Sequence, residues 1–379
     1  MTSTLHAFAD LYRKPGPWVT IYTDASTGTV DSLHADDVRP EKIATALEQA
    51  GASKEDRKAA AEALRRSAKG MPDPVARLIL VCNGTVELDE FLPGPTVMPE
   101  IISVGEVPDL CPLIWHRPDD FAYVVAEVGR DGGEIHLRRA NGQFDENTMH
   151  VEGDTENLKK VPTGGWSQGK YQHRTENIWK ANAAEIADEI DRVVRSSRAR
   201  LLIVAGDIRA RNLVAEQVSE QSKEVLTVVE SHSRTEGADK GAYALEIEKR
   251  VAECIAHRQG QLIERLNNQK GRPNPESAEG IGAVVNALQQ AQVDTLLLES
   301  VGLNGQKLLA LGAEPWTAFL DGETAGAPVL GEVPAPSSLL RAAVLTDAEV
   351  ALFPSGALDA GPVAALLRWP VGPPVPVAG

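Results

Sequence analysis

The chain has 379 residues, 42% hydrophobic and 24% charged; this is the profile of a globular protein with a core of its own and excludes a disordered chain. Its formal charge of -16 repels a polyanion at long range and excludes a uniformly basic nucleic-acid-binding protein. The length exceeds what one core usually serves, so two or three domains are expected, three being the preferred division.

From the N-terminus, MTSTLHAFADLYRK lacks an apolar stretch of signal-peptide length, and no run approaches the roughly 20 apolar residues that span a bilayer. Cys82, Cys111 and Cys254 lie far apart with no CxxC pair, against a disulfide framework or a zinc site. The expectation is a cytoplasmic protein with no membrane partner, no metal and no cofactor. Residues 17–23 have the β-branched and aromatic content of a strand, and 40–69 read as two helices broken near Gly51. Residues 78–81 and 86–88 flank Asn83-Gly84, a pair suited to the positive φ angles of a type I′ turn, and so read as a hairpin. Leu113-Ile114-Trp115 reads as a strand closing an N-terminal α/β domain, 1–116.

A middle domain, 117–236, opens with a hairpin built from 121–128 and 134–138 around Asp131-Gly132-Gly133. A polar stretch, 141–163, leads to Gly164-Gly165-Trp166-Ser167-Gln168-Gly169-Lys170-Tyr171-Gln172-His173-Arg174. Two glycines permit a backbone path other residues resist. Lys170, His173 and Arg174 then suit phosphates, and Tyr171 and Trp166 suit stacking on bases. Ile178, Asn182, Ile186, Ile190 and Val193 repeat at near-helical spacing and mark a long helix. Residues 201–205, ending in Gly206-Asp207, form a short apolar run typical of a strand buried on both faces. Residues 159–211 carry eleven Lys or Arg against six Asp or Glu, a basic segment inside an acidic protein. It reads either as an RNA-facing surface or as the usual cations of a solvated helical face.

A C-terminal α/β domain, 237–369, begins with a long helix marked by Ile247, Val251, Ile255, Leu262 and Leu266. A Pro- and Gly-containing loop, a helix at 281–288 and a buried strand at 293–298 follow. The tail, 370–379, with its repeated prolines, is expected to be mobile. Gly302 to Lys307 lacks the spacing of a phosphate-binding loop and reads as a turn. His116, His136, His150, His173 and His232 are candidate catalytic histidines for a free-standing α/β enzyme, yet none stands in a nucleophile or metal motif. His136 reads as a satisfied sheet residue, His173 as an RNA contact or helix-entry residue, and Trp179 as core packing.

The order of the hairpin, the glycine loop with its helix, and the strand 201–205 resembles the middle domain of archaeal and eukaryotic peptide-chain release factors and of Pelota. Residues 293–299 resemble that family's central strand. Gly361-Pro-Val-Ala-Ala-Leu-Leu-Arg-Trp369 resembles its closing motif, in which a glycine precedes a short helix ending in Leu-Arg-aromatic. The resemblance spans about residues 117–369 and is nearest to the bacterial branch that includes Balon-type ribosome hibernation factors. It implies a three-domain α/β fold with a release-factor-like middle domain and a Pelota-like C-terminal domain. The implied partners are the 70S ribosome, with its rRNA, A site and peptidyl transferase centre, and elongation factor Tu.

Release factors carry Gly-Gly-Gln, whose glutamine helps place the water that attacks the peptidyl-tRNA ester. Here Trp166 follows the glycines, and Gln168 comes two residues later. The resemblance therefore implies a non-catalytic RNA-binding segment of Gly164, Gly165, Trp166, Ser167, Gln168, Lys170, Tyr171, His173 and Arg174, in a hibernation factor. The alternative is a peptidyl-tRNA hydrolase or rescue factor in which Gln168 positions the water. The first domain has no equivalent of the Asn-Ile-Lys-Ser loop that reads stop codons, against codon-dependent termination.

Overall fold

The computed structural model describes residues 8–28, 30–118, 121–129, 131–140, 147–152, 168–230, 240–359 and 361–370. The chain divides into two compact units, one made of residues 1–118 with 261–379, the other of 119–260.

The first unit begins with the short helix α1 (Ala9–Arg13) and strand β1 (Trp18–Asp24). Helices α2 (Val30–Gln49) and α3 (Lys54–Leu64) follow, the second capped by Ser53, whose hydroxyl accepts from the Asp56 amide. Strands β2 (Val75–Cys82), β3 (Thr85–Pro93) and β4 (Ile101–Gly105) complete an antiparallel sheet of order β3-β2-β1-β4. The β2–β3 turn is the one expected, with φ of 51 at Asn83 and 75 at Gly84. Alternation along β1 and β2 splits two cores. Val19, Ile21, Ile79 and Val81 pack with Ile43 and Leu47 of α2 and Ala60 and Ala63 of α3, while Trp18, Tyr22, Leu78 and Leu80 join a larger cluster on the other face.

Leu113-Ile114-Trp115, expected as a strand, is instead helix α4 (Cys111–His116). Pro112 sits in its first turn, where a missing N–H costs nothing, and Asp109 Oδ1 accepts from the Cys111 amide. Residues 101–105 form the strand that pairs with β1 on this side.

The middle unit holds β5 (Ala122–Gly129), β6 (Gly132–Arg139), β7 (Asn147–Glu152), helix α5 (Gln168–Ser197), β8 (Leu201–Gly206), α6 (Ile208–Gln217), α7 (Glu220–Lys223) and β9 (Leu226–Val228). Its sheet runs β7-β6-β5-β8-β9, with β5 parallel to β8 and β8 parallel to β9. The run 201–206 is buried throughout, as expected of a strand covered on both faces. Val124, Ala126, Leu202 and Val204 face Ile186, Ile190 and Val193 of α5. Tyr123, Val125, Ile203 and Ala205 face Tyr243, Ile247 and Val251 of α8 (Lys240–Asn267). This is a three-layer α/β/α arrangement.

The first turns of α8 belong to the middle unit, and the division falls at 260. Beyond it, Leu262 and Leu266 pack in the first unit against Leu297, Phe353 and Leu366.

The rest of the first unit comprises β10 (Ser277–Glu279), α9 (Ile281–Gln289), β11 (Val293–Glu299), β12 (Lys307–Leu311), β13 (Thr317–Ala318), β14 (Val329–Pro334), α10 (Ala335–Leu345), β15 (Glu349–Phe353) and β16 (Val363–Leu367). One sheet has order β10-β16-β11-β15, and a smaller one β13-β12-β14. The closing motif, expected as a short helix, is strand β16. All five of its residues are buried and it runs antiparallel between β10 and β11. A five-residue apolar run with no polar face suits a central strand better than a helix with a wet side.

The two chain ends share one core. Trp18, Leu113 and Trp115 cluster with Leu298, Ala335 and Leu339. Trp115 Nε1 donates to Ser300 O at 3.2 Å, and Arg341 Nη1 and Nε donate to Trp316 O and Tyr12 O at 3.0 and 3.4 Å.

Candidate functional site: the N-terminal end of the long central helix

Gly164, Gly165, Trp166 and Ser167 lie outside the described residues. Gln168 opens α5, and the backbone at Lys170, Tyr171, His173 and Arg174 is already helical. Most of the expected loop is therefore the first two turns of a helix. Once Ile186, Ile190 and Val193 anchor the helix on the sheet, each further residue toward the N-terminus adds a hydrogen bond at small entropic cost. Gln, Lys and Arg accept that extension readily. The first-turn N–H groups have no partner within the helix and carry the positive end of its dipole.

Behind this end, α5 packs on α6. Asp207 caps α6, its Oδ1 accepting from the Arg209 and Ala210 amides at 3.0 and 3.2 Å. Gly206, immediately before, has φ of 120, and a Cβ there would stand 2.0 Å from Val128 O. The absence of a side chain lets the carboxyl ends of β5 and β8 close up, with Asp207 N donating to Val128 O at 3.0 Å.

Arg209 then reaches across to α5. Its Nη2 donates to Glu176 Oε1 at 2.6 Å, and its guanidinium lies over the Trp179 ring, 4.7 Å from the centroid. Gly129, Trp179, Ala183, Arg209 and Leu213 line a groove of about 250 Å³ at the carboxyl ends of the two parallel strands, where open α/β sheets place ligands. Ile208 beside it is 68% exposed. The groove offers an aromatic face, a guanidinium and apolar walls, which is stacking and ion-pairing chemistry rather than bond-making chemistry.

Trp179, expected in the core, is half-buried as a wall of this groove. Arg209 carries no motif of its own in the sequence; the Gly-Asp step at the end of a buried strand is the signal that marks its position. The basic segment itself is partly spent on structure. Arg211 is buried and donates to Val229 O at 3.1 Å. Arg192 donates to Glu189 through Nε at 2.9 Å and through Nη2, and these bonds hold the Glu189 carboxyl below its usual range.

The histidines divide as follows. His116 is half-buried, with Nε2 2.8 Å from Tyr22 Oη and Nδ1 3.3 Å from Pro93 O. Tyr22 Oη also accepts from the Val97 amide at 2.8 Å. Nδ1–H donating to Pro93 and Nε2 accepting from Tyr22 satisfy every group with a neutral ring, and burial lowers the imidazole pKa accordingly. His136 lies on β6, 3.2 Å from Thr148 Oγ1, a satisfied sheet residue. Glu134 stands 3.7 Å from His136 and 3.8 Å from His150. His173 contributes helical backbone and His232 lies outside the described residues. Among the described residues no group of three His, Cys, Asp or Glu could hold a metal ion, and no helix is long and apolar enough to cross a membrane.

Residues 122–272 match the family described as Bacterial archaeo-eukaryotic release factor family 2. An uncharacterised protein of Mycobacterium tuberculosis strain H37Rv is 25% identical over 366 residues, 93% of this chain and 94% of that one. Among solved structures, the archaeal translation termination factor aRF1 aligns at 15% identity over 96% of both chains with a TM-score of 0.25. A model of ribosome-bound archaeal Pelota and ABCE1 aligns at 16% identity over 97% of this chain and 95% of that one, with a TM-score of 0.40. At such scores the two structures add nothing to the family match.

Proposed function

From the match of residues 122–272 to the Bacterial archaeo-eukaryotic release factor family 2, we propose that the protein binds the ribosome and blocks translation without catalysis. In this reading it occupies the vacant A site and extends the segment 164–174 toward the peptidyl transferase centre. The observation that carries it is the tripeptide before α5, Gly164-Gly165-Trp166, where release factors have Gly-Gly-Gln. An indole offers one N–H donor and no acceptor, so it can stack on a base or plug a tunnel but cannot hold a water as an amide does. The open N–H groups of the first turn of α5, with Lys170, His173 and Arg174, suit rRNA phosphates. Elongation factor Tu is the proposed protein partner.

Hydrolysis of peptidyl-tRNA through Gln168 is the second reading. Its support is that Gln168, two residues after Trp166 in sequence, is the first residue of α5. Two measurements decide. Sedimentation with vacant and translating 70S ribosomes tests binding, and absence from both fractions at physiological salt removes both readings. Release of peptide from peptidyl-tRNA on the ribosome, lost in Gln168→Ala, favours the hydrolase; binding without release by the wild-type protein favours the block.

A further inference from the structure

We propose that the N-terminal sheet carries a site for a phosphate group, in a groove lined by Arg39, Arg66 and Arg77. The groove, about 280 Å³ including space open to solvent, lies between β1, α2, α3 and the β2–β3 hairpin, and Thr23, Arg39, Arg66, Arg77 and Phe91 are among its lining residues. No carboxylate side chain is among them.

Its floor is rigid. Arg77 is 3% exposed and is fixed by donating to Ala63 O at 2.6 Å and Arg66 O at 2.7 Å. It also forks onto Asp89, Nε to Oδ1 at 2.8 Å and Nη2 to Oδ2 at 3.0 Å. Arg66 reaches the same Oδ2 at 2.7 Å, so one carboxylate answers two cations and leaves a unit of positive charge. Phe91 lies under both guanidiniums, 5.4 Å from Arg66 and 4.5 Å from Arg77, and holds them side by side. Glu100, which accepts from Thr23 at 2.6 Å, is answered by Lys42, also at 2.6 Å.

A buried, pre-set guanidinium beside a 60% exposed one is an arrangement suited to a tetrahedral oxyanion. The exposed Arg66 can turn to a ligand without breaking the Arg77–Asp89 fork. Part of the groove is open to solvent, so a phosphate held on these side chains can keep an ester outside it. That ester can belong to a free nucleotide or to an RNA backbone. The proposal is independent of the ribosome reading.

The test is calorimetric titration of the full chain, at low ionic strength, with inorganic phosphate, adenosine monophosphate and a short oligouridine. All three bind the wild-type protein. Arg66→Gln weakens binding roughly tenfold, the scale of one charged hydrogen bond. Arg65→Gln, at an exposed neighbour that does not line the groove, changes it by less than about twofold. Thermal melting of both variants separates loss of ligand from loss of fold. Tighter binding of the oligouridine than of the nucleotide assigns the site to RNA, and the reverse assigns it to a free nucleotide. The proposal is overturned if none of the probes binds, or if Arg65→Gln costs as much as Arg66→Gln.

Discussion

Substituting Gly206 by alanine should open the middle unit. The residue sits at φ of 120, and the added Cβ would meet Val128 O at 2.0 Å and the Val128 C and N atoms at 2.9 Å, all of them backbone. Side-chain rotation cannot relieve a clash with main chain, so the ends of β5 and β8 must separate. Backbone strain at such a φ costs about 1–3 kcal/mol, and loss of the Asp207 N–H to Val128 O bond costs about 1 kcal/mol more. With the displaced ladder the total is about 3–5 kcal/mol. Native-state hydrogen exchange reads this directly: amides of β5 and β8 should lose at least roughly a hundredfold in protection. Gly260→Ala is the control, an exposed helical position with nothing within 4 Å of the added atom. It should raise stability by up to about 1 kcal/mol. A Gly206→Ala protein whose β5 and β8 amides lose less than about tenfold would refute the reasoning.

Three further outcomes are expected. The His116 pKa is lowered from 6.5 by burial, so the unfolded chain binds the proton more readily; the stability that the neutral ring contributes is present above 6.5 and lost as pH falls below it. Melting curves between neutral and mildly acid pH should accordingly fall less steeply for His116→Gln. Asp191 accepts from the Ser219 amide and from the hydroxyls of Ser219 and Ser222, so Asp191→Ala should destabilise the α5–α7 contact by about 2–3 kcal/mol, visible as faster exchange in α7. Finally, Lys170→Ala with Arg174→Ala should lower ribosome affinity and flatten its dependence on salt, measured by sedimentation across ionic strengths, because fewer counterions are released.

Sequence alone made several elements plain because local chemistry and burial agree there. Asn83-Gly84 can hardly be anything but a tight turn, and the apolar runs at 201–206 and 293–299 are too short for helices and too apolar for an exposed strand. The period of Ile178, Ile186, Ile190 and Val193 likewise leaves one reading. Short apolar runs were where expectation failed, in both directions. Leu113-Ile114-Trp115 became helix with Pro112 in the first turn and Asp109 accepting from the Cys111 amide, and residues 363–367 became strand through pairing with residues distant in sequence. Strand β7 hid in a polar stretch because only β6 supports it. The groove beside Trp179 was equally hidden, since Glu176, Trp179 and Arg209 meet only when α5 and α6 pack.

The shared core of the two chain ends also sets an order of events during synthesis. Cys111 Sγ meets Ser337 Oγ at 3.6 Å, a separation of 226 residues, and Tyr12 O meets Arg341 across 329. At roughly 5–20 residues per second, the partner of Cys111 emerges about 10–45 s after Cys111 itself. Throughout that interval the part of α4 that meets Ser337 is uncovered, while the residues of the middle unit up to 260 are made and can fold. A nascent or truncated chain ending before Ser337 therefore presents an apolar surface the finished protein never shows, a target for chaperones and for proteolysis.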